Sequence, residues 1–347
     1  MKSFSAIVLA AAVGSTQAFW DNGHMLVGEI ATQHMDDEDV GTIHALLDYQ
    51  EKDFPNTNTV TTAAIWPDLI KCNSLVSTYC PSPLTPSLGM LDIFHYVDLP
   101  VNVNGTDYHG LTSADVQKLF DAKLDGFADD YLDKALKTMN TTHSLYAANF
   151  VTRMVIHIFG DIHQPLHAVG GVSDTFPKGD AGGNFYVFKS PCVGGNLHAI
   201  WDSVYGKYGS VNWSPDFTPE TPNYEALVAN ATALVEQYAD EDDKLDFESL
   251  RDVDYTSFVN ALSTGPKALL KQVMLRSYDL ARDAVYADLD LNCDMQNGRC
   301  VVPCPSQEYG DRLVDATERR IVLAGKRLGV ILSQFARRVR QLNLLEN

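Results

Sequence analysis

The chain has 347 residues and is 45% hydrophobic, so it can bury a sizeable core and global disorder is excluded. Its formal net charge of −19 argues against a basic groove that binds nucleic acid by neutralising phosphates. A function that handles phosphate would therefore need a local cation, for which a metal ion is the simplest source.

Residues 1–18, MKSFSAIVLAAAVGSTQA, have the pattern of a secretory signal peptide. A positive charge precedes an apolar run at residues 7–13, and Thr16–Ala18 is a small-x-small cleavage motif. Cleavage there would make Phe19 the mature N-terminus. No later stretch has the ~18 apolar residues that a spanning helix needs, so we expect no membrane anchor. The protein is expected to be secreted or delivered to a compartment such as a lysosome or vacuole.

Cysteines and glycosylation motifs support this expectation. All six cysteines follow the cleavage site, an even number that suits a disulfide-bonded secreted protein. Their pairing does not follow from the sequence, and local pairs such as Cys72–Cys80, or one within Cys293, Cys300 and Cys304, are among the alternatives. The sequence also has four N-glycosylation motifs, which begin at Asn104, Asn140, Asn212 and Asn230.

Apolar residues recur at helical spacing through most of the mature chain. We therefore expect residues 19–347 to form a single, mainly α-helical domain with a small β-hairpin. The predicted helices span residues 24–35, 113–139, 145–163, 224–240 and 266–289, and residues 308–342 form one long helix or two. The remaining segments with a clear pattern are a strand at 182–190, a Pro-rich loop at 212–224 and a solvated acidic segment at 240–254.

The helix predicted at 145–163 runs into VIHIFGDIHQPLHAVGG, which has three histidines and one aspartate among apolar residues. Burying ionisable groups is costly unless they are paired or bind a metal. His157 and Asp161 are four residues apart and share a helix face. Pro165 should end the helix, so His167 can fold back toward the same point. His163 lies off this face, which indicates a structural role.

A second pair has the same spacing in GGNLHAIWDSVY, where His198 precedes Asp202 by four residues. Imidazole and carboxylate groups are the usual zinc ligands outside thiolate sites. Two such pairs and His167 exceed what one tetrahedral ion needs, so the pattern indicates more than one zinc ion. The alternative is that each pair is an ordinary surface or capping pair.

In these motifs the chain resembles the S1/P1 nucleases, secreted zinc-dependent enzymes that share a fold with bacterial zinc phospholipase C. The resemblance runs from the mature N-terminus to the C-terminal helix, with residues 205–265 and 290–310 more divergent. Family members have an N-terminal Trp, whose backbone binds zinc, and a Gly-His pair whose His lies five residues after that Trp. Here Gly23 and His24 form that pair, and Phe19 replaces the Trp.

The resemblance implies three Zn²⁺ ions, because each ligand position of the family is filled. The family's Ala-x-Trp-x-Asp, His-aromatic-aliphatic-Asp, His-x3-Asp-x5-His and His-x3-Asp motifs all have counterparts here. The first ion would be held by Asp68, His95, His157 and Asp161. The second would be held by His167, His198 and Asp202. The third would be held by the Phe19 backbone, His24 and the bridging Asp161.

The same resemblance implies a monomeric endonuclease that hydrolyses phosphodiester bonds of single-stranded DNA and RNA to 5′-nucleotides. It is also compatible with 3′-nucleotidase activity. Asp68 would orient or deprotonate the attacking water. Lys71, where many members have Arg, would stabilise transition-state charge; the alternative is a solvated surface lysine.

Substrate recognition is implied by residues next to the ligands. Tyr96 occupies the position of an aromatic residue that often stacks on a base in the family, and base stacking favours unpaired strands. Asp98 could accept hydrogen bonds from the base edge, and Asn184 in a Gly-Gly-Asn motif could line the cleft. Packing and loop capping are the alternatives for Tyr96 and Asp98.

Three other functions are compatible with parts of the pattern. A zinc phospholipase C would use the same metal cluster, but that family has a longer gap before the first His and a Glu where this chain has Asp202. A secreted protein could keep zinc for stability alone. An Arg-rich amphipathic helix at 320–340 could bind membranes, although its apolar positions are more simply explained as core.

Overall fold

The structure is a computed structural model, and it describes most of the expected mature chain. The expected signal peptide, residues 1–18, lies outside the described residues. The described residues are 19–72, 80, 88–112, 114–209, 211–241 and 243–346.

Helices make up most of the described chain, which confirms the mainly α-helical prediction. Short 3₁₀ turns and one π-helical turn at Ala281–Val285 connect or extend them. The α-helices are α1 (Asp21–Gln33), α2 (Asp37–Leu47), α3 (Val60–Ala63), α4 (Trp66–Leu69), α5 (Val116–Asp121), α6 (Ala128–Thr141), α7 (Leu145–Asp161), α8 (Leu197–Asp202), α9 (Pro222–Gln237), α10 (Tyr255–Ser263), α11 (Leu269–Leu280) and α12 (Gln307–Gln341).

The prediction of one helix over 113–139 is wrong. The chain forms α5 and α6 instead, separated by a turn at 122–127. Gly126 has φ of +85° in this turn, a conformation that glycine adopts without steric cost. A Cβ atom there would lie 2.3 Å from the Tyr96 carbonyl oxygen, so the turn brings the backbone against Tyr96. The helical spacing of apolar residues continues across this turn, so the sequence pattern does not show where α5 ends.

In the described part of the chain, five short strands form two sheets. β1 (Leu99–Asn102) pairs in parallel with β2 (Val169–Val172). β3 (Tyr186–Phe188) pairs in parallel with β5 (Arg299–Val302), which pairs antiparallel with β4 (Asp294–Gln296). The strand predicted at 182–190 is thus present at its centre, whereas the hairpin is formed by β4 and β5.

Two long helices organise the core. α7 is buried over most of its length, from Ala148 to Asp161, and α12 runs beside α1 as one unbroken helix. A Cβ atom at Gly325 would lie 2.5 Å from Ile30 Cβ, so glycine permits the close approach of α1 and α12. Each fully buried aliphatic side chain contributes about 1.5–3 kcal/mol, which makes this contact a main source of stability.

The membrane-binding alternative for residues 320–340 does not fit this packing. Most side chains of that segment are buried in the core, including Arg320 and Arg327. Among the described helices, none is long and apolar enough to cross a membrane.

The structure agrees more closely with the Pro-rich loop predicted at 212–224 than with the solvated acidic segment predicted at 240–254. The Pro-rich loop ends at Thr221, and Pro222 begins α9, a position that proline favours. The acidic segment is not simply solvated, because the Asp243 carboxylate accepts two hydrogen bonds from the Arg327 guanidinium at 2.9 and 2.6 Å.

The six cysteines form three disulfides. Cys72 pairs with Cys80 and Cys293 with Cys300, which are two of the local pairs considered from the sequence. Cys192 pairs with Cys304 and joins the β3 region to the segment before α12. Three of the four glycosylation motifs have exposed asparagines, which are Asn104, Asn212 and Asn230. The fourth asparagine, Asn140 at the end of α6, is half-buried.

Candidate metal centre

The C-terminal end of α7 supplies the centre of the site. His157 and Asp161 lie on the same face of this helix and are completely buried. The His157 ring donates from Nδ1 to the Ala64 carbonyl at 2.5 Å, which fixes Nε2 as the unprotonated nitrogen. That nitrogen lies 3.5 Å from Asp161 Oδ2 and 3.7 Å from Asp68 Oδ2. Its lone pair is therefore directed at two carboxylates.

His95 completes this first group. It follows the 3₁₀ turn Gly89–Phe94, and its Nδ1 lies 3.0 Å from both Asp161 Oδ2 and His157 Nε2. Asp68, in α4, is 3.9 Å from the same His95 nitrogen. The structure thus brings together the four residues that the family resemblance assigns to the first ion.

The second group lies between the turn after α7 and helix α8. His167 donates from Nδ1 to the His95 carbonyl at 2.9 Å, and His198 donates from Nδ1 to the Gly182 carbonyl at 2.7 Å. Their Nε2 atoms lie 3.1 Å apart, and Asp202 Oδ2 is 3.3 Å from His198 Nε2. All three proposed ligands of the second ion therefore converge.

The third group joins α1 to α7. His24 Nε2 lies 3.3 Å from Asp161 Oδ1, and the His24 ring stacks on the His157 ring with centroids 3.9 Å apart. Phe19 is buried just before α1. A Cβ atom at Gly23 would lie 2.6 Å from Phe19 Cβ, so glycine lets Phe19 fold against the helix. This places Phe19 next to His24, as the expected third site requires.

These donor atoms fit zinc. Among the described residues, three groups of His and Asp side chains have ligand atoms within 4.8 Å of one another. Both Nδ1 atoms of His167 and His198 donate to carbonyls, so two lone pairs face each other at 3.1 Å, which is repulsive unless a cation lies between them. Tetrahedral Zn–N bonds of 2.0–2.1 Å place neighbouring ligand atoms roughly 3.3 Å apart, close to the observed separations.

Burial sets the charge of the ligands. It lowers the pKa of His157 and of His167 to about 3, so both rings are neutral and able to coordinate a metal. Burial would raise the pKa of Asp161, but the surrounding His157, His24 and His95 lower it well below its usual range. In Asp202, burial raises the pKa well above its usual range, so that carboxylate needs a cation to stay ionised.

Lys71 is not a solvated surface lysine. Its side chain is buried, and Nζ lies 2.7 Å from Asp68 Oδ1 and 3.0 Å from Asp92 Oδ1. Burial opposes ionisation of Asp68, but Lys71 and His157 outweigh it and hold the Asp68 pKa well below its usual range. A charged Asp68 next to a fixed cation can bind a metal and orient a water molecule.

The three residues expected to bind substrate have different environments. Tyr96 is half-buried and donates from its hydroxyl to Asp125 Oδ2 at 3.2 Å. Burial, with Asp180 and Asp125, raises the Asp98 pKa well above its usual range. Asn184 donates from Nδ2 to the Ala181 carbonyl at 2.9 Å, which shapes a turn.

That turn also carries Gly182, the residue whose carbonyl accepts the hydrogen bond from His198. Asn184 thus lies next to the support of the second group. Tyr96 and Asp98 lie one and three residues after His95 in the chain, and none of the three residues belongs to the His/Asp groups of the described chain.

Sequence analysis missed two supporting side chains. Gln164 donates from Nε2 to Asp202 Oδ1 at 2.6 Å, and Asp92 pairs with Lys71. A partner that orients a metal ligand tunes metal affinity, as Gln164 would for Asp202. Gln164 stands in the Gln-Pro-Leu-His motif, which was a usable signal. Asp92 has no such signal, because its contact with Lys71 depends on the fold.

Comparisons with known proteins agree with this geometry. A family model described as S1/P1 Nuclease matches residues 19–337. The chain is 26% identical over 261 residues to Endonuclease 3 of Arabidopsis thaliana, covering 68% of this chain and 76% of that protein. It is 26% identical over 255 residues to Endonuclease 4 of the same plant, with the same coverage. Endonuclease 1 is 27% identical over 203 residues, which is 56% of each chain.

Proposed function

Because the chain belongs to the S1/P1 nuclease family, we propose that it is a secreted, zinc-dependent endonuclease. Its substrates would be single-stranded DNA and RNA, with 5′-nucleotides as products and 3′-nucleotidase activity as an added reaction. The observation that carries this proposal is the convergence of three buried His/Asp groups, two of which share His157. Relatives named endonucleases in Arabidopsis thaliana support it.

The metal content of the proposal is three zinc ions. Asp68, Asp161 and Asp202 supply three carboxylates, so three dications would leave the pocket net positive. This reconciles a phosphate substrate with a chain of net charge −19, because the ions rather than basic side chains attract the phosphate. The ligand sets are those given above, with Asp161 shared between the first and third ions and the Phe19 backbone completing the third.

Zinc at these positions would supply Lewis-acid stabilisation of the phosphate and activation of the attacking water. The residues of the chain supply the orientation. Asp68 accepts a hydrogen bond from that water and holds it in line with the phosphorus, while Lys71 keeps Asp68 ionised and stabilises the added negative charge. His157 and His167, neutral through burial, coordinate without first losing a proton.

Unpaired bases are proposed to bind beside these groups. The Tyr96 ring stacks on a base, Asp98 contacts the base edge and Asn184 lines the cleft. Stacking requires an accessible base face, so single strands are cleaved in preference to duplexes. The chain acts as a monomer, since one chain contributes every ligand.

The proposed processing is removal of residues 1–18. The family model begins its match at Phe19, the residue that cleavage after Ala18 would expose. Residues 19–347 then form the nuclease domain, with three disulfides. Glycans are proposed at the four motifs, which begin at Asn104, Asn140, Asn212 and Asn230.

The test measures nucleotide release from single-stranded DNA by the secreted, processed protein. Wild-type protein, chelator-treated protein and protein reloaded with zinc are compared on single-stranded DNA, duplex DNA and a choline phosphoester. Zinc-dependent release from single strands supports the proposal. Cleavage of the choline phosphoester alone would favour a phospholipase C, and a zinc-loaded protein inactive on all three substrates would favour a non-catalytic zinc protein.

A further inference from the structure

Lys71 is held from two sides by carboxylates of different chain segments. Its ammonium is fully buried, 2.7 Å from Asp68 Oδ1 and 3.0 Å from Asp92 Oδ1. Asp68 lies in α4, only three residues before Lys71. Asp92 lies in the 3₁₀ turn Gly89–Phe94, which leads directly into the ligand His95. Lys71 therefore links the two segments that deliver Asp68 and His95 to the first group.

A lysine ammonium at this position needs a second carboxylate partner to fix its orientation. Its ammonium is a point charge on a flexible four-carbon stem and lacks the rigid fork by which arginine fixes its own orientation. One partner, Asp68, is also a proposed zinc ligand, so its carboxylate is shared. Asp92 belongs to none of the ligand groups in the described residues and is 40% exposed, which leaves its carboxylate available to Lys71.

We propose that Asp92 is a positioning residue, which fixes the Lys71 ammonium beside Asp68 so that it can stabilise charge during phosphodiester hydrolysis. The inference deepens the proposed function and rests on it. Asp92 itself contacts neither substrate nor metal. Without it, Asp68 is the one carboxylate among the described residues that holds the Lys71 ammonium, which is then no longer fixed where the negative charge develops.

A double-mutant cycle separates positioning from a purely structural salt bridge. Lys71→Met is expected to lower kcat about 100-fold, the usual cost of losing one transition-state donor. Asp92→Asn should lower kcat about tenfold with KM changed less than about twofold. In the Lys71→Met background, the same Asp92→Asn change should have less than about a twofold effect, because Asp92 acts through Lys71. An equal effect in both backgrounds, or no effect in either, would overturn the proposal.

Lysine acetylation gives a readout that does not depend on activity. Zinc-loaded wild-type protein and Asp92→Asn are treated briefly with acetic anhydride, and modification at each lysine is measured by peptide mass spectrometry. Lys71 should be protected in the wild type and modified at least about fivefold faster in Asp92→Asn, because a freed ammonium samples solvent. Unchanged protection of Lys71 would overturn the positioning role.

The matched control is the Lys123–Asp129 pair, whose atoms are 2.9 Å apart and whose side chains are about a fifth exposed. Asp129→Asn should raise modification of Lys123 and leave both Lys71 protection and kcat unchanged. If wild-type protein releases no nucleotides while Lys71 protection still depends on Asp92, the proposed nuclease function fails and the pairing of Asp92 with Lys71 stands.

Discussion

The two carboxylate oxygens of Asp161 face different histidines. Oδ1 lies 3.3 Å from His24 Nε2, and Oδ2 lies 3.0 Å from His95 Nδ1. Asp161→Asn keeps the shape but removes the charge that two ions would share. We expect zinc content and nucleotide release to fall together, with activity down about 100-fold or more. Metal analysis of the purified variant and the single-strand assay measure both quantities.

Asp129→Asn is the control for this experiment, because its carboxylate pairs with Lys123 outside the ligand groups. That variant should keep its zinc and its activity. A fully active Asp161→Asn protein would show that the assignment of the bridging ligand is wrong.

The neutral state of two buried histidines gives a pH prediction. The pKa of His157 and of His167 falls to about 3 from an ordinary 6.5, so in metal-free folded protein neither ring should protonate above about pH 4. The unfolded chain binds those protons near pH 6.5, so the stability that these two groups contribute is complete above pH 6.5 and is lost as pH falls toward 3.

Imidazole nitrogen NMR of the metal-free protein tests this directly. The resonances of the two rings should be constant between about pH 4.5 and 8, and the urea-unfolded chain serves as the titrating reference. A midpoint near 6.5 for either ring in the folded protein would contradict the burial-based assignment.

The pairs His157–Asp161 and His198–Asp202 could be predicted from sequence because their spacing is local, whereas Phe19, His24, Asp68 and His95 were assigned only through the resemblance to the family. His157 and Asp161 reach the same side of a helix through a four-residue interval, and the same interval pairs His198 with Asp202. Asp92 could not be found in this way. Its distance to Lys71 is set by packing of a 3₁₀ turn against α4, and no sequence period encodes that contact.

At the scale of elements, the long helices α7 and α12 and the strand β3 were predictable, whereas the short strands β1 and β2 were not. α7 and α12 have the strong periodicity of helices that bury one side or all sides. β1 and β2 span four residues each and pair across about 70 residues of chain, so neither has the length or the alternation that marks a strand. The break between α5 and α6 was missed because Gly126 is an isolated turn residue inside a helical pattern.

The prediction at the scale of secondary-structure elements concerns the start of α1. A Cβ atom at Gly23 would lie 2.6 Å from Phe19 Cβ, so Gly23→Ala must displace Phe19 from its buried position. If the Phe19 backbone holds the third ion, this variant should lose about one zinc ion per chain and retain the second group. Metal analysis and thermal unfolding of the processed protein measure the effect.

Gly41→Ala in α2 is the matched control, since a Cβ atom at Gly41 would meet nothing within 4 Å. It should keep the full zinc content and stabilise the protein by about 0.5–1 kcal/mol, because alanine has the higher helix propensity. If Gly23→Ala retains all its zinc, the Phe19 backbone is not a ligand or the helix start adjusts without cost.

At the scale of the whole molecule, the excess of acidic residues has to be compatible with a proposed site for a negatively charged phosphate. The chain has 45 acidic and 26 basic residues, yet its proposed phosphate site lies in the interior, where α1, α4, α7 and α8 meet. Two arginines that could have contributed to a basic surface make contacts in the interior of the protein instead. Arg327 is buried with Asp243 and His163, and Arg320 donates to the His163 carbonyl just beyond α7. These two buried arginines therefore support the C-terminal end of α7 rather than bind substrate directly.

Disulfides of very different loop length give the prediction for the whole molecule. Cys192–Cys304 closes a sequence separation of 112 residues, whereas Cys293–Cys300 closes one of 7. In the chain-entropy account the longer loop contributes about 2 kcal/mol more to the free energy of unfolding. Replacing Cys192 and Cys304 by alanine should therefore cost at least about 1 kcal/mol more than replacing Cys293 and Cys300, after allowance for the buried sulfur of Cys300. Urea unfolding of the two double variants measures the difference, and a larger loss from the short-loop pair would show that local packing around the β4–β5 hairpin, rather than loop closure, determines what these bridges contribute.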